Sequence, residues 1–408
     1  LLVDHSHSMS LFSYTHRRHS NLSFHMTNEH HAIVLAGIPQ TNLSLFHKIR
    51  FSVGDPTVFI ELPTGKRILI LRDIEIARAK ESAHADEFYS NADFTPETGL
   101  SGDREIATAQ ALAQCLKHNN ITSVTSDRTL PFVYAHMIEQ TGITLTCNLD
   151  LGVMERRAKD ESELTHLRNA QAITEEVMRY ACELIFNTTA DKAGQLIHEG
   201  TPLTSEHMIS LIDIAFLQRG ASTPHGSIVA GGPIGADCHH RGTGVLHTSQ
   251  PIIIDLFPHI RATGYNGDCT RTICHGDIPD QLAKMHTAVF EAKAAAQAAT
   301  KPGATGEDVH KAAIEVITSY GYSFGVANDT DPDSHTTMAH GTGHGIGLDV
   351  HEPPLLDYNA PQLIVGDVLT IEPGLYSKSI GGLRIEDMVA VTKAGYENFN
   401  TLPTGLHW

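Results

Sequence analysis

Two segments of the chain each carry an apolar run that ends in a carboxylate, with a second carboxylate a nearly constant distance downstream. Pro251-Ile-Ile-Ile-Asp255 is followed 13 residues later by Asp268, in Gly264-Tyr-Asn-Gly-Asp268-Cys-Thr-Arg271. Val368-Leu-Thr-Ile-Glu372 is followed 14 residues later by Glu386, in Leu383-Arg-Ile-Glu-Asp387. Both read as β-hairpins, the first turning near Arg261 to Gly264 and the second past Gly381-Gly382. Directly opposed residues of an antiparallel pair share a face, so registers centred near residues 261 and 379 would bring four carboxylates into one pocket. Buried carboxylates repel one another and lose their hydration, so such a cluster persists only when protons or cations neutralise it. Two divalent metals would meet that charge.

Between the hairpins lies His340-Gly-Thr-Gly-His344-Gly-Ile-Gly-Leu-Asp-Val-His351-Glu352-Pro-Pro354. Glycine at every second position from Gly341 to Gly347 argues against a helix, so His340 and His344 are not the pair of a helical H-E-x-x-H zinc site. Ile346 and Leu348 stand where a G-x-G-x-x-G loop needs its third glycine, which rejects a dinucleotide fold. The glycines instead let backbone crowd a site that the imidazoles face. Carboxylates with one or two imidazoles suit six-coordinate manganese, iron or cobalt better than a thiolate zinc site. A metal pair about 3.5–4 Å apart polarises a carbonyl and acidifies a bridging water, which is hydrolytic chemistry.

Simpler readings stand beside these. A lone Asp255 after an apolar run is an ordinary strand-end residue, and its spaced partner is what argues otherwise. Arg384 shares a strand face with Glu386 and is either a structural ion pair or, the favoured reading, a cation that steers an anionic substrate group. His239 and His240, in Gly235-Ala-Asp-Cys-His-His-Arg241, are loop histidines or site histidines with even odds, and which of them would face a site stays open. No G-x-S-x-G elbow supports a serine hydrolase.

At 408 residues the chain is long enough for two domains. With 41% apolar and 19% charged residues it can bury cores without staples. From about 32 to 155, β-branched runs (Thr57 to Leu62, Arg67 to Arg72, Thr122 to Ser126, Ile143 to Leu149) alternate with helical ones (Glu105 to Lys117, Leu130 to Gln140), an α/β pattern. At Asp160, a cap paired with Glu163, a long helix opens a second, α+β domain over 156–408, with further helices at Gln281 to Thr300 and, capped by Thr305, at Glu307 to Tyr320. Residues 1–31, with His5, His7, His16, His19, His25, His30 and His31, read as a loosely ordered surface arm. Lys and Arg total 29 against 47 Asp and Glu, with no basic run, which excludes nucleic acid as a partner. No apolar run approaches a membrane span. Six scattered cysteines point to a reducing compartment, the cytoplasm; the chain opens on Leu1 without a leader pattern.

The motifs Gly-Tyr-x-x-Asp-x-Thr-Arg-Thr, Gly-His-Gly-Ile-Gly-Leu-x-x-His-Glu, Ile-Glu-Pro-Gly-x-Tyr and Arg-Ile-Glu-Asp together resemble the pita-bread metallopeptidases, the family of prolidase, aminopeptidase P, methionine aminopeptidase and creatinase. The resemblance covers about 156–408 and implies an α+β pita-bread catalytic domain behind an α/β creatinase-type N-terminal domain. It implies two divalent metal ions, manganese first, with cobalt, iron or zinc as substitutes. Asp268 and Glu386 would bridge them, Asp255 would complete one shell, and His344 with Glu372 would complete the other. Glu372 would also take a proton from the bridging water, His351 and His340 would contact substrate and shuttle protons, and His239 would be the outer histidine. Arg384 would lie near substrate and metal, and Thr270 would support Asp268. Creatinase is disfavoured because all five ligands are retained. The N-terminal domain and His351-Glu-Pro-Pro resemble the proline-specific branch, so the implied activity is hydrolysis of Xaa-Pro dipeptides by a metal-bridging hydroxide in a homodimer. Aminopeptidase P activity on longer peptides, or lysis or hydrolysis of a small non-peptide zwitterion, are the alternatives. The 13-residue spacing from Asp255 to Asp268 is two longer than expected of prolidases, with Phe257-Pro-His259 in the insertion.

Overall fold

The computed structural model describes residues 30–408, so the arm's expectation for 1–29 lies outside the described residues. The chain's first apolar run forms β1 (His31–Gly37), and it is followed by α1 (Leu43–Ile49), β2 (Thr57–Glu61), β3 (Arg67–Leu71), α2 (Ile76–Ser82) and β4 (Glu87–Ser90). Then come α3 (Arg104–His118), β5 (Ser123–Ser126), α4 (Phe132–Glu139) and β6 (Thr144–Cys147). The six strands make one sheet in the order β4-β3-β2-β1-β5-β6. Alternation along each strand divides the side chains between two layers. Val34, Ile60 and Ile70 pack against α3 and α4, while Leu35, Phe59, Leu69 and Leu71 pack against α1 and α2. His31 is tied into the sheet, its ring nitrogens bonded to the hydroxyls of Ser123 and Thr125.

After the short α5 (Val153–Arg157), α6 runs over Glu161–Phe186. Its start has the expected reciprocal cap: Glu163 N–H donates to the Asp160 carboxylate and Asp160 N–H to the Glu163 carboxylate. Helix α7 is Ser205–Gln218, α8 is Asp280–Ala299, and α9, capped by Thr305, is Gly306–Ser319. Three antiparallel or mixed sheets lie under these helices. One joins Ile228–Gly231, Pro251–Leu256 and Cys269–Cys274; a second includes Gly374–Ser377 and Gly381–Arg384; a third carries Gly343–Gly345, Val368–Ile371 and Asp387–Thr392. Ile252, Ile254 and Leu256 face α6 and α7. Leu369, Ile371, Leu383 and Ile385 face α8 and α9. Helices thus cover one side of the sheets, and the polar alternates look into the space on the other. No helix of the described residues is long and apolar enough to cross a membrane.

Candidate metal centre

Asp255 alternates with Ile254 and Leu256, Glu372 with Ile371, and Glu386 with Ile385, so strand periodicity points these carboxylates away from the helices. The first hairpin differs from the expected register. Asp255 pairs with Thr270 and Leu256 with Cys269, which leaves Asp268 one step beyond the strand, on the same face but diagonal to Asp255. The insertion accounts for the shift: His259–Ile260 forms its own small ladder with Ala221–Ser222, and His259 bridges to Asn266. Asp268 is placed instead by Gln171 of α6, whose amide accepts from Asp268 N–H at 2.9 Å and donates to Asp268 C=O at 2.7 Å.

The second hairpin keeps the expected centre, with Ile371 opposite Asp387 and Gly374 opposite Arg384. At Glu372 and Glu386 its strands part. Glu372 N–H stays on the ladder to the Gly343–Gly345 strand, donating to Thr342 C=O at 2.8 Å, whereas Glu386 N–H crosses to the first sheet, donating to Thr270 C=O at 3.1 Å. Thr270 therefore supports a different ligand from the one expected: its hydroxyl donates to Glu386 Oε2 at 2.8 Å rather than to Asp268.

His344 lies on the Gly343–Gly345 strand, where a methyl on Gly345 would stand 2.4 Å from the Glu352 carbonyl oxygen. The backbone approach that fixes the histidine therefore needs glycine. His344 Nδ1 donates to Gly345 C=O at 3.1 Å, which leaves Nε2 as a bare lone pair 3.4 Å from Glu372 and 3.8 Å from Asp268. Burial lowers its pKa, so the ring stays neutral. One donor atom each of Asp268, His344 and Glu386 lies within 4.8 Å of the others. Burial, then the neighbouring acids Glu386, Asp255 and Glu372, hold the Asp268 carboxyl far above the usual carboxylate range. Burial, then Glu372 and Asp255, do the same to Glu386. Asp255 Oδ1 is buried with no hydrogen-bond partner among the described residues. A neutral imidazole lone pair, an orphaned carboxylate oxygen and crowded carboxyls that resist ionising fit a site for divalent cations.

Arg384, expected near substrate and metal, lines the cleft. It is 3% exposed and donates to Asp255 Oδ2 at 2.6 Å, Tyr376 Oη at 2.8 Å, Thr270 Oγ1 at 3.2 Å and Cys238 C=O at 3.3 Å. Its fork is spent inside the protein, on holding Asp255 and the 238 loop. Tyr376, which the sequence reading passed over inside its own motif, joins this arginine to His340: His340 Nδ1 donates to Gly341 C=O at 2.7 Å, and Nε2 accepts from the Tyr376 hydroxyl at 2.6 Å.

Of the histidine pair, His239 lines the cleft, whereas His240 Nδ1 accepts from Gly242 N–H at 3.0 Å within its own loop. His351 sits at the cleft wall, its ring centroid 4.3 Å from that of His344. Its neighbour Glu352 turns the other way, bonded to Arg156 and, at 2.9 Å, to Lys159. Gln171 was also missed; the only trace of it in the sequence is a polar residue on the apolar stripe of α6, four positions after Leu167. The cleft that these groups share holds about 500 Å³ and is lined by Asp255, Asp268, His344, Glu372 and Glu386 together.

Metallopeptidase family M24 matches residues 165–393 of the chain. A probable dipeptidase PepE of Mycobacterium bovis is 28% identical over 351 residues, covering 85% of this chain and 84% of its own. An Xaa-Pro dipeptidase of Pyrococcus furiosus is 33% identical over 228 residues, 54% of this chain and 59% of its own. Among solved structures, an Xaa-Pro dipeptidase from Bacillus anthracis superposes with a TM-score of 0.74 at 23% identity, over 92% of this chain and 94% of that one.

Proposed function

The chain belongs to metallopeptidase family M24 and has the two-domain pita-bread fold, and from that premise we propose that it hydrolyses the Xaa-Pro bond of dipeptides. The observation that carries the reading is the convergence of Asp255, Asp268, His344, Glu372 and Glu386 on one cleft, with lone pairs left unsatisfied; the Xaa-Pro dipeptidases among its relatives point to the bond. These five residues would hold two divalent ions, and the carboxylate-rich set favours manganese. Bound there, such ions supply Lewis acidity to the scissile carbonyl and make water a nucleophile at neutral pH.

The chain's own groups divide the remaining work. Glu372, with an 18% exposed side chain the most accessible of the four carboxylates, receives the proton of the attacking water and returns it to the prolyl nitrogen as the C–N bond breaks. His351 donates to the carbonyl oxygen as it gains charge. His340 assists proton movement through the Tyr376 hydroxyl, His239 closes the outer wall, and Arg384 acts as a positioning residue that fixes Asp255 and Tyr376. The resemblance also implies a homodimer.

Manganese-loaded protein is to be given Xaa-Pro dipeptides, Xaa-Pro-Yaa tripeptides and Xaa-Ala dipeptides, with released amino acids quantified. Proline release from the Xaa-Pro dipeptides is expected. Comparable cleavage of the tripeptides would move the reading to aminopeptidase P, and silence on every Xaa-Pro peptide would overturn it.

A further inference from the structure

A dipeptide presents a carboxylate one residue beyond the scissile bond, and the floor of this cleft is carboxylate. A substrate anion therefore needs a cation on the walls, away from Asp255, Asp268, Glu372 and Glu386. Arg384, the deeper of the two guanidinium groups lining the cleft, already has four of its five N–H groups bonded to protein acceptors. The other is Arg241.

Arg241 is exposed, and among the described residues no carboxylate pairs with it. Its one side-chain hydrogen bond is from Nη2 to His225 C=O at 2.7 Å, which leaves most of its five N–H groups unused. The mount is stiff. Val229 N–H donates to Arg241 C=O at 2.9 Å, and a methyl on Gly242 would stand 1.8 Å from the Val229 carbonyl oxygen, so the backbone under the arginine lies flush with the Ile228–Gly231 strand. The guanidinium rests over Gly226, where a methyl would come within 2.9 Å of Nη1, and φ at Gly226 is +82°. His225 and His239 line the same cleft. Among the described residues Arg128, Arg179 and Arg261 likewise form no ion pair, but of these four arginines Arg241 is the one that lines the cleft.

We propose that Arg241 receives the C-terminal carboxylate of the substrate, and so determines that the enzyme takes dipeptides. The inference rests on the dipeptidase reading above and adds the group that measures substrate length. A free carboxylate meets the open guanidinium edge in two parallel charge-assisted hydrogen bonds, which an amide or a further peptide unit cannot reproduce. The cleft, about 500 Å³, has room for a dipeptide.

The test compares kcat/KM for an Xaa-Pro free acid and the same Xaa-Pro amide, in wild type, Arg241→Met and Arg241→Lys, all manganese-loaded. Wild type should prefer the acid, and Arg241→Met should lower kcat/KM for the acid by about tenfold or more, with the loss falling on the acid and not on the amide. Arg241→Lys, which keeps the charge without the fork, should retain part of the preference, and it carries the test if the methionine variant does not fold. An unchanged acid-to-amide ratio in the variants, or a wild type that turns over both forms equally, overturns the role of Arg241 while leaving the dipeptidase reading intact. A wild type inactive on acid and amide alike overturns both.

Discussion

Glu386 lies where the demands on single residues are greatest: its side chain accepts from Thr270, its backbone N–H ties to Thr270 C=O, and its backbone C=O accepts from the buried Arg271 guanidinium. Burial, and then the neighbouring acids, raise its pKa, so without cations the pocket works against the fold, and cations that bind only the folded state add stability by mass action. Saturating manganese should raise the unfolding temperature of the wild type, and Glu386→Gln should lose most of that rise and bind fewer than two equivalents. Calorimetry and metal analysis after dialysis check both, and a variant that keeps two equivalents would remove Glu386 from the ligand set. The acids were legible because strand alternation exposes them in one dimension, whereas His344 was singled out among the histidines only by the family resemblance. The partners of Arg384 were not legible, because its four acceptors come from the separate segments 238, 255, 270 and 376, which nothing local predicts.

At the scale of elements, α6 does more than cover the sheet. Its apolar stripe and its cap were readable from spacing alone, yet its effect on the site passes through Gln171, which takes the place of a cross-strand partner for Asp268. Replacing Gln171 with Leu keeps the packing volume but leaves a buried N–H and C=O unpaired, at about 1–3 kcal/mol for each. Urea unfolding should register a loss of roughly that size, together with weaker manganese binding; unchanged binding would show that the strand alone places Asp268. The hairpin registers carry the same lesson. The second kept the centre its sequence suggested, one register running through both its ladders although the strands part at Glu372 and Glu386, whereas the first moved as His259–Ile260 found a partner of its own in Ala221–Ser222.

For the molecule as a whole, the N-terminal sheet layer meets the site-bearing half at Glu163. Its carboxylate bonds to His47 of α1 at 3.0 Å and to the Tyr265 hydroxyl at 2.7 Å, and Arg50 lies 3.3 Å away. Burial alone would raise its pKa, but the hydrogen bonds from His47, Tyr265 and the Asp160 backbone overcome that and bring it down to about 2. A depressed carboxylate stabilises the fold above its unfolded pKa, and that contribution fades as pH falls toward the folded value. Glu163→Gln should therefore cost on the order of 2 kcal/mol at pH 7, with the gap to wild type closing between about pH 5 and pH 2. Urea midpoints at pH 7 and pH 3 check it, and a gap independent of pH would mean that shape rather than charge holds the joint.

The parting of the strands at Glu372 and Glu386 has a consequence for how the molecule comes together. Glu372 stays with the sheet of its own strand, while the Glu386 backbone crosses to the sheet that carries Asp255, so neither half of the α+β region contains a finished pocket without the other. The centre is a seam between the two halves, and ions held in it would act as rivets across it.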